Sequence, residues 1–167
     1  MRKLNAIGTN FVFSLFVLAC FPAQAIDIGQ SAPEFVLHDT ANAVKLNDFK
    51  GKVIYLDFWA SWCGPCKKSF PWMNAMQSKY GPNGFVIIAI NLDANNADGN
   101  RFLKSMPVNF EVVFDSKGEL ARQFQVKGMP SSILINRNGQ VVLQHAGFND
   151  AIASQLELEI ASLTKGK

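Results

Sequence analysis

Two cysteines, Cys63 and Cys66, close the stretch Trp59-Ala-Ser-Trp-Cys-Gly-Pro-Cys66. Placed at the start of a helix, positions i and i+3 share a face of the first turn, close enough to form a small-loop disulfide and to break it again. That turn also presents unpaired N–H groups and the positive end of the helix dipole, which stabilise an anion. A thiolate at Cys63 should therefore form at a lower pH than in a free cysteine, whose pKa is about 8.5. Cys66 lies one turn in, less exposed, and suits the resolution of a mixed disulfide. Pro65 is tolerated because the first turn needs no donor there. The chemistry these residues point to is thiol–disulfide exchange.

The elements that must hold the pair can be read on either side of it. Val53-Ile-Tyr-Leu-Asp-Phe-Trp59 is an apolar, β-branched and aromatic run, expected as a buried strand. Asp57 interrupts it, and an ionised carboxylate there is costly unless paired. Desolvation should raise its pKa toward the working range of an acid/base group. After the cysteines, Phe70, Met73, Met76 and Tyr80 recur at helical spacing, with Pro71 expected to kink the helix and Gly81-Pro82 to stop it. This Met and aromatic stripe reads as core.

The chain has 167 residues, enough for one domain with a sizeable core. Arg2 and Lys3, the apolar stretch Phe11 to Phe21 and the small residues of Ala23-Gln24-Ala25 together read as a cleaved export signal over residues 1–25, leaving a domain over 26–167. An uncleaved anchor, or lipid attachment at Cys20 within Val17-Leu-Ala-Cys20, are the alternatives. Without Arg2 and Lys3, the 16 basic residues fall to 14 against 13 acidic ones, so the basic balance belongs mostly to the leader. Near-neutral charge argues against a nucleic-acid or membrane-surface partner. Without Cys20, the only cysteines are the two of the pair, whose loop is too short to constrain the unfolded chain much. Redox work fits better than stapling.

The remaining pattern alternates strands and helices. Glu34 to His38 and Val44 to Leu46 suggest a hairpin around a turn at Asp39 to Asn42. Phe85 to Ile90 is a continuous apolar run, the sign of a strand covered on both faces. Asn91 to Asn100 reads as a loop, Arg101 to Met106 as a short helix, Glu111 to Phe114 as a strand, and Gly118 to Phe124 as one or two helical turns. Ser132 to Ile135 and Val141 to His145 flank an Asn138-Gly139 turn. Asp150 is expected to cap a last helix using Ile152, Leu156, Ile160 and Leu163. The sum is an α/β layered domain.

The Trp59 to Cys66 stretch resembles the thioredoxin active-site signature. Pro71, Gly128-Met-Pro130 and Gly147 stand at the matching separations. The N-terminal extension and the extra block from Ala94 to Lys117 are similar to the exported TlpA/ResA-type branch of thiol–disulfide oxidoreductases. The resemblance covers about Ile28 to Leu163. It implies a thioredoxin-like fold: a central mixed β-sheet flanked by helices, with an N-terminal β-hairpin extension and a central helix-strand insertion. It also implies a cis Pro130 facing the cysteines and bringing the Met129 backbone beside Cys63, where an extended substrate can pair in strand fashion. Asp57 matches the family's buried aspartate, whose role is proton exchange with the resolving cysteine. Cys63, Cys66 and Asp57 are thus the expected catalytic residues, with Trp62, Gly64, Pro65, Met129 and Pro130 around them as the substrate-binding surface.

Two positions depart from the family pattern. Ser69 replaces a frequent glutamate three residues after the second cysteine, and Ala89 replaces the lysine beside the buried aspartate. Asp57 is therefore expected to act without the usual cation. Trp59 divides between core and docking surface, Lys67 and Lys68 read as a solvated helix face, and His38 and His145 as ordinary polar strand residues.

The expected activity is that of an exported, periplasmic protein-disulfide reductase. The Gly-Pro dipeptide resembles that of reducing thioredoxins, near about −270 mV. Its partners would be oxidised proteins, apocytochrome c among them, and a membrane thiol-electron donor of the DsbD/CcdA type. A monomer, with no cofactor, no metal and no nucleic acid, is expected. An oxidase or isomerase would use the same pair. A thiol peroxidase would need a proline and a Thr or Ser where Leu56 and Ala60 stand. A zinc site would need ligands beyond two cysteines and two distant histidines. A non-catalytic client-binding module is the reading outside enzymology.

Overall fold

Seven consecutive buried side chains form the central strand β3, Val53–Trp59. In the computed structural model, which describes residues 27–38 and 43–165, it lies in the middle of a five-stranded sheet of order β5-β4-β3-β6-β7. Its neighbours are β4 (Phe85–Asn91), parallel to it, and β6 (Ser131–Ile135), antiparallel. Strand β5 (Glu111–Phe114) runs parallel to β4, and β7 (Val141–Ala146) antiparallel to β6. A separate antiparallel pair, β1 (Val36–His38) and β2 (Ala43–Lys45), makes the N-terminal hairpin. The helices are α1 (Gly64–Tyr80), α2 (Asn96–Ser105), α3 (Glu119–Gln123) and α4 (Asp150–Thr164). This is the expected thioredoxin-like fold, mixed sheet and extensions included. Residues 1–25, Cys20 and the turn at residues 39–42 lie outside the described residues.

The continuous apolar runs arise because both sheet faces are covered. One face packs Ile54, Leu56, Phe58, Ile88, Ile90 and Ile133 against Phe35, Leu120 and Phe124. The other packs Val53, Tyr55, Trp59, Ile87 and Leu134 against Phe70, Met73 and Met76 of α1 and Leu156 and Ile160 of α4. The helical stripe is core, as its spacing predicts.

Several local expectations are corrected. Helix α2 begins at Asn96, not Arg101, because Asn95 caps it with Oδ1 accepting from the Ala97 N–H at 3.0 Å. The polar residues of its first turns carry no apolar period, so they read as loop. The last helix is capped by Asn149, whose Oδ1 accepts from Ile152 N–H at 3.0 Å; Asp150 is its first residue. The first strand starts at Val36 rather than Glu34, and Leu46 opens a 3-10 turn rather than ending β2. Between β6 and β7 the loop is wider than a two-residue Asn-Gly turn. Asn136 Oδ1 accepts from the N–H groups of Asn138 and Gln140, and Gly139 alone takes the left-handed φ, +79°. As the pattern predicts, Pro71 lies inside α1 and the helix ends at Tyr80, before Gly81-Pro82.

Candidate active site

Strand β3 delivers the chain to the C-terminal edge of the sheet, and the cysteines follow at once. Cys63 is the N-cap of α1, extended at φ −78°, ψ 106°, and Pro65 occupies an early position of the helix. The Cys63 sulfur accepts from the Cys66 N–H at 3.3 Å, so one first-turn donor of the helix points at that sulfur. The two cysteines are joined as a disulfide with Cα atoms 5.3 Å apart. Cys66 is fully buried and Cys63 is 5% exposed, whereas Trp62 beside them is 70% exposed. No acidic residue stands in the first turn of α1, and Lys67 and Lys68 face solvent. Ser69, in place of a glutamate, is buried and donates to the Cys66 carbonyl at 2.9 Å. Trp59 is core: its ring packs at 4.8 Å from Phe70 and 5.0 Å from Phe102.

The turn that carries Trp62 and Cys63 is anchored by a buried carboxylate that sequence reasoning missed. Asp93 accepts from Ser61 N–H and Ser61 Oγ, each at 2.9 Å, and from Asn91 Nδ2 at 2.7 Å. Parallel register explains the meeting. Trp59 pairs with Asn91, so the residues two further along each strand face one another. The available signal was an aspartate just beyond the carboxyl end of an apolar strand, where α/β sheets gather functional groups.

Asp57 is wholly buried on the face under α1. Its Oδ1 accepts from Ser132 Oγ at 2.7 Å, while Oδ2 has no partner. Burial pushes its carboxyl from 3.8 up to about 7, against the opposing pull of the Ser132 hydrogen bond. Ala89 stands opposite it on β4, so no cation occupies the lysine's place. Tyr55, two residues back on the same face, is raised well above 10 by burial and then by the Asp57 charge. Ser132 was not foreseen: its link to Asp57 spans 75 residues and follows from antiparallel pairing of the two.

The Met129–Pro130 bond is cis, matching the expectation from the resemblance. Pairing of Phe58 with Ser131 places Pro130 at the same edge of the sheet as the Ala60–Cys63 turn. The Pro130 carbonyl accepts from Gly147 N–H at 2.8 Å, and Ser131 Oγ donates to the Gly128 carbonyl at 2.7 Å, which pins the loop at both ends. Met129 is half-buried against the same cluster as the cysteines, and Gly64 is exposed beside them. Trp62 is thus exposed beside the cysteines, while Pro130 itself is buried. A cavity of about 390 Å³, lined by Leu46, Phe49, Lys52, Ile54 and Arg137 among others, shares no residue with this site. Among the described residues no three His, Cys, Asp or Glu side chains gather as metal ligands.

This arrangement can store two electrons as a dithiol and surrender them as a disulfide, and the same sheet face carries a buried carboxyl raised to about 7. Comparison with known proteins agrees. The family model Redoxin matches residues 27–158. The thiol-disulfide oxidoreductase ResA of Bacillus thuringiensis subsp. konkukian is 35% identical over 142 residues, 84% of this chain and 81% of that protein. ResA of Bacillus subtilis is 39% identical over 120 residues, covering 71% and 67% respectively. A crystal structure from Chlorobium tepidum, provisionally named thiol:disulfide interchange protein DsbE, superimposes with a TM-score of 0.81 at 52% identity, covering 84% of this chain and 99% of that one.

Proposed function

The chain belongs to the redoxin family as a TlpA/ResA-type thiol–disulfide oxidoreductase, and from that premise we propose that it works as an exported reductase of protein disulfides. The observation that carries the reading is the Cys63–Cys66 disulfide at a helix N-terminus beside an exposed Trp62. In the reduced protein, the Cys63 thiolate attacks one sulfur of a client disulfide. The S–S bond breaks, the client's other sulfur leaves as a thiolate, and a mixed disulfide joins Cys63 to the client. Asp57 takes the Cys66 proton, and the Cys66 thiolate attacks Cys63 Sγ. The client departs with both sulfurs reduced, and the protein is left in the oxidised state of this structure.

Trp62, Gly64 and Pro65, all exposed, and half-buried Met129 form the docking surface beside buried Pro130, with the Met129 backbone to pair with an extended client strand. Open geometry of this kind suits a protein client more than a small molecule. The basic start and short apolar stretch of the sequence support export to the periplasm by a signal over residues 1–25. In that oxidising compartment the dithiol is regenerated by a membrane thiol donor of the DsbD/CcdA type. Apocytochrome c is a client of fitting chemistry.

Substitution Cys66→Ala tests the proposal. The variant should accumulate a client disulfide-linked through Cys63, and iodoacetamide should alkylate Cys63 of the reduced wild type well below pH 8.5. Absence of any adduct, or ordinary reactivity at Cys63, would overturn it.

A further inference from the structure

Among the described residues, five buried polar atoms without a hydrogen-bond partner belong to the sheet face that α1 and α4 cover: the Tyr55 hydroxyl, Asp57 Oδ2, Trp59 Nε1, Trp72 Nε1 and His145 Nε2. Buried polar groups are rarely left unpaired without a functional reason. Three observations connect this set. The Tyr55 and Trp72 rings meet edge to face at 5.8 Å. Asp57 binds Ser132 directly. Ser132 in turn pairs with His145 across β6 and β7, so Asp57, Ser132 and His145 form a row across three antiparallel strands. Directly paired residues send their side chains to the same face, with Cβ atoms about 4.5–5.5 Å apart.

The outer end of the row is set up as a base. His145 Nδ1 lies 3.1 Å from the Gly147 carbonyl oxygen, and a carbonyl only accepts, so Nδ1 carries the ring proton and Nε2 keeps its lone pair. The same Gly147 donates to the Pro130 carbonyl, which ties the imidazole to the cis-proline loop. His145 also lines a cavity of about 190 Å³ with Leu143, Gln144, Ile152, Gln155 and Leu156. The inner end has the opposite character. Asp57 is closed off from water, so a proton that reaches or leaves it by any route other than Cys66 must cross the interior.

We propose that Ser132 and His145 are positioning residues that carry the Asp57 proton between the sealed interior and the cavity beside α4. The inference rests on the proton-exchange role proposed for Asp57. When an external thiolate opens the Cys63–Cys66 disulfide, it bonds to Cys63 and Cys66 leaves with the electron pair of the S–S bond. Cys66 takes the Asp57 proton, which leaves a buried carboxylate. A proton enters from water onto His145 Nε2, passes to Ser132 Oγ, and the hydroxyl's own proton moves to Asp57. When Cys66 is the attacking thiol, the proton travels the other way. One strand spacing, about 4.8 Å, separates Ser132 from His145, a gap that a bridging water or a side-chain rotation spans.

The electrostatics favour this direction of flow. Burial lowers His145 below 6.5, while Asp57 sits at about 7, so a protonated imidazole gives up its proton to the carboxylate downhill. The titratable groups on this face are Tyr55, Asp57, the cysteine pair and His145, together with Tyr80 at its far end. Tyr80 and Lys79 are engaged with Glu157 of α4. Lys67 and Lys68 of α1 point to solvent. The cavity lining contains no titratable side chain besides His145.

The test is reduction of the protein's own disulfide by dithiothreitol, followed by tryptophan fluorescence in dilute buffer at pH 7. It needs no client, so its outcome is separate from that of the trapping experiment. His145→Ala and Ser132→Ala should each slow the reaction about tenfold. Free imidazole should restore His145→Ala but not Ser132→Ala, Ser132→Thr should keep the wild-type rate, and His145→Ala should add nothing in an Asp57→Asn background. A wild-type rate in His145→Ala, or a slow rate that imidazole leaves unchanged, overturns the proposal. Should His145→Ala not fold, His145→Gln fills the space without titrating. A slow, buffer-accelerated reaction then supports the relay, and a buffer-independent one overturns it.

Discussion

Replacing Asp57 by Asn should make the protein less stable in acid and more stable in mild base. Folding carries this carboxyl from 3.8 to about 7, chiefly through burial. Below pH 3.8 the group is neutral in both states and costs nothing. Between 3.8 and 7 the unfolded chain releases the proton that the folded chain keeps, so stability falls as pH rises and levels off above 7. Each pH unit is worth about 1.4 kcal/mol, and the interval is roughly three units, which gives about 4 kcal/mol. Asparagine removes this dependence. Its oxygen can still accept from Ser132, but its amide puts two buried N–H donors where the neutral carboxyl had one O–H, and the extra unpaired donor costs about 1–3 kcal/mol. Asp57→Asn should therefore be the weaker protein by about 1–3 kcal/mol at pH 4 and the stronger one by a similar margin at pH 8.5. Urea unfolding of both oxidised proteins at pH 4, 6 and 8.5 measures the difference, in which the other titrating groups cancel. A difference that stays constant across that range would refute the argument that Asp57 is held neutral by burial.

Two further substitutions probe the surroundings of the cysteines. Trp62→Ala should raise KM for a protein disulfide about tenfold, the size of one aromatic anchor, and leave the unfolding midpoint nearly unchanged because the ring is 70% exposed; an unaltered KM would remove Trp62 from the docking surface. Asp93→Ala strands two donors of Ser61 and one of Asn91, and should cost about 3 kcal/mol in urea unfolding. A loss of less than about 0.5 kcal/mol would mean that the carboxylate does not anchor the turn.

What could be read from the chain alone was what short-range physics governs. Val53 to Trp59 is strand-forming and apolar along its whole length, so it had to be a central strand. The spacing of Cys63 and Cys66 puts both on one helical turn whatever surrounds them. The Phe70 to Tyr80 stripe and the sheet's alternation with helices follow from period alone. Boundaries were less legible where a polar first turn imitates a loop, as at Asn96, or where two adjacent capping residues compete, as Asn149 and Asp150 do.

Tertiary structure decided everything that depends on which strand lies beside which. Ser132 became the partner of Asp57, Asp93 the anchor of Ser61, and His145 the end of a polar row because register aligned them. Register is set by burying one whole face of a strand at a time, a collective choice that no local window of residues contains. The chemistry of the cysteine pair was therefore written locally, while the groups that anchor its turn and surround its buried carboxyl exist only once the sheet has closed.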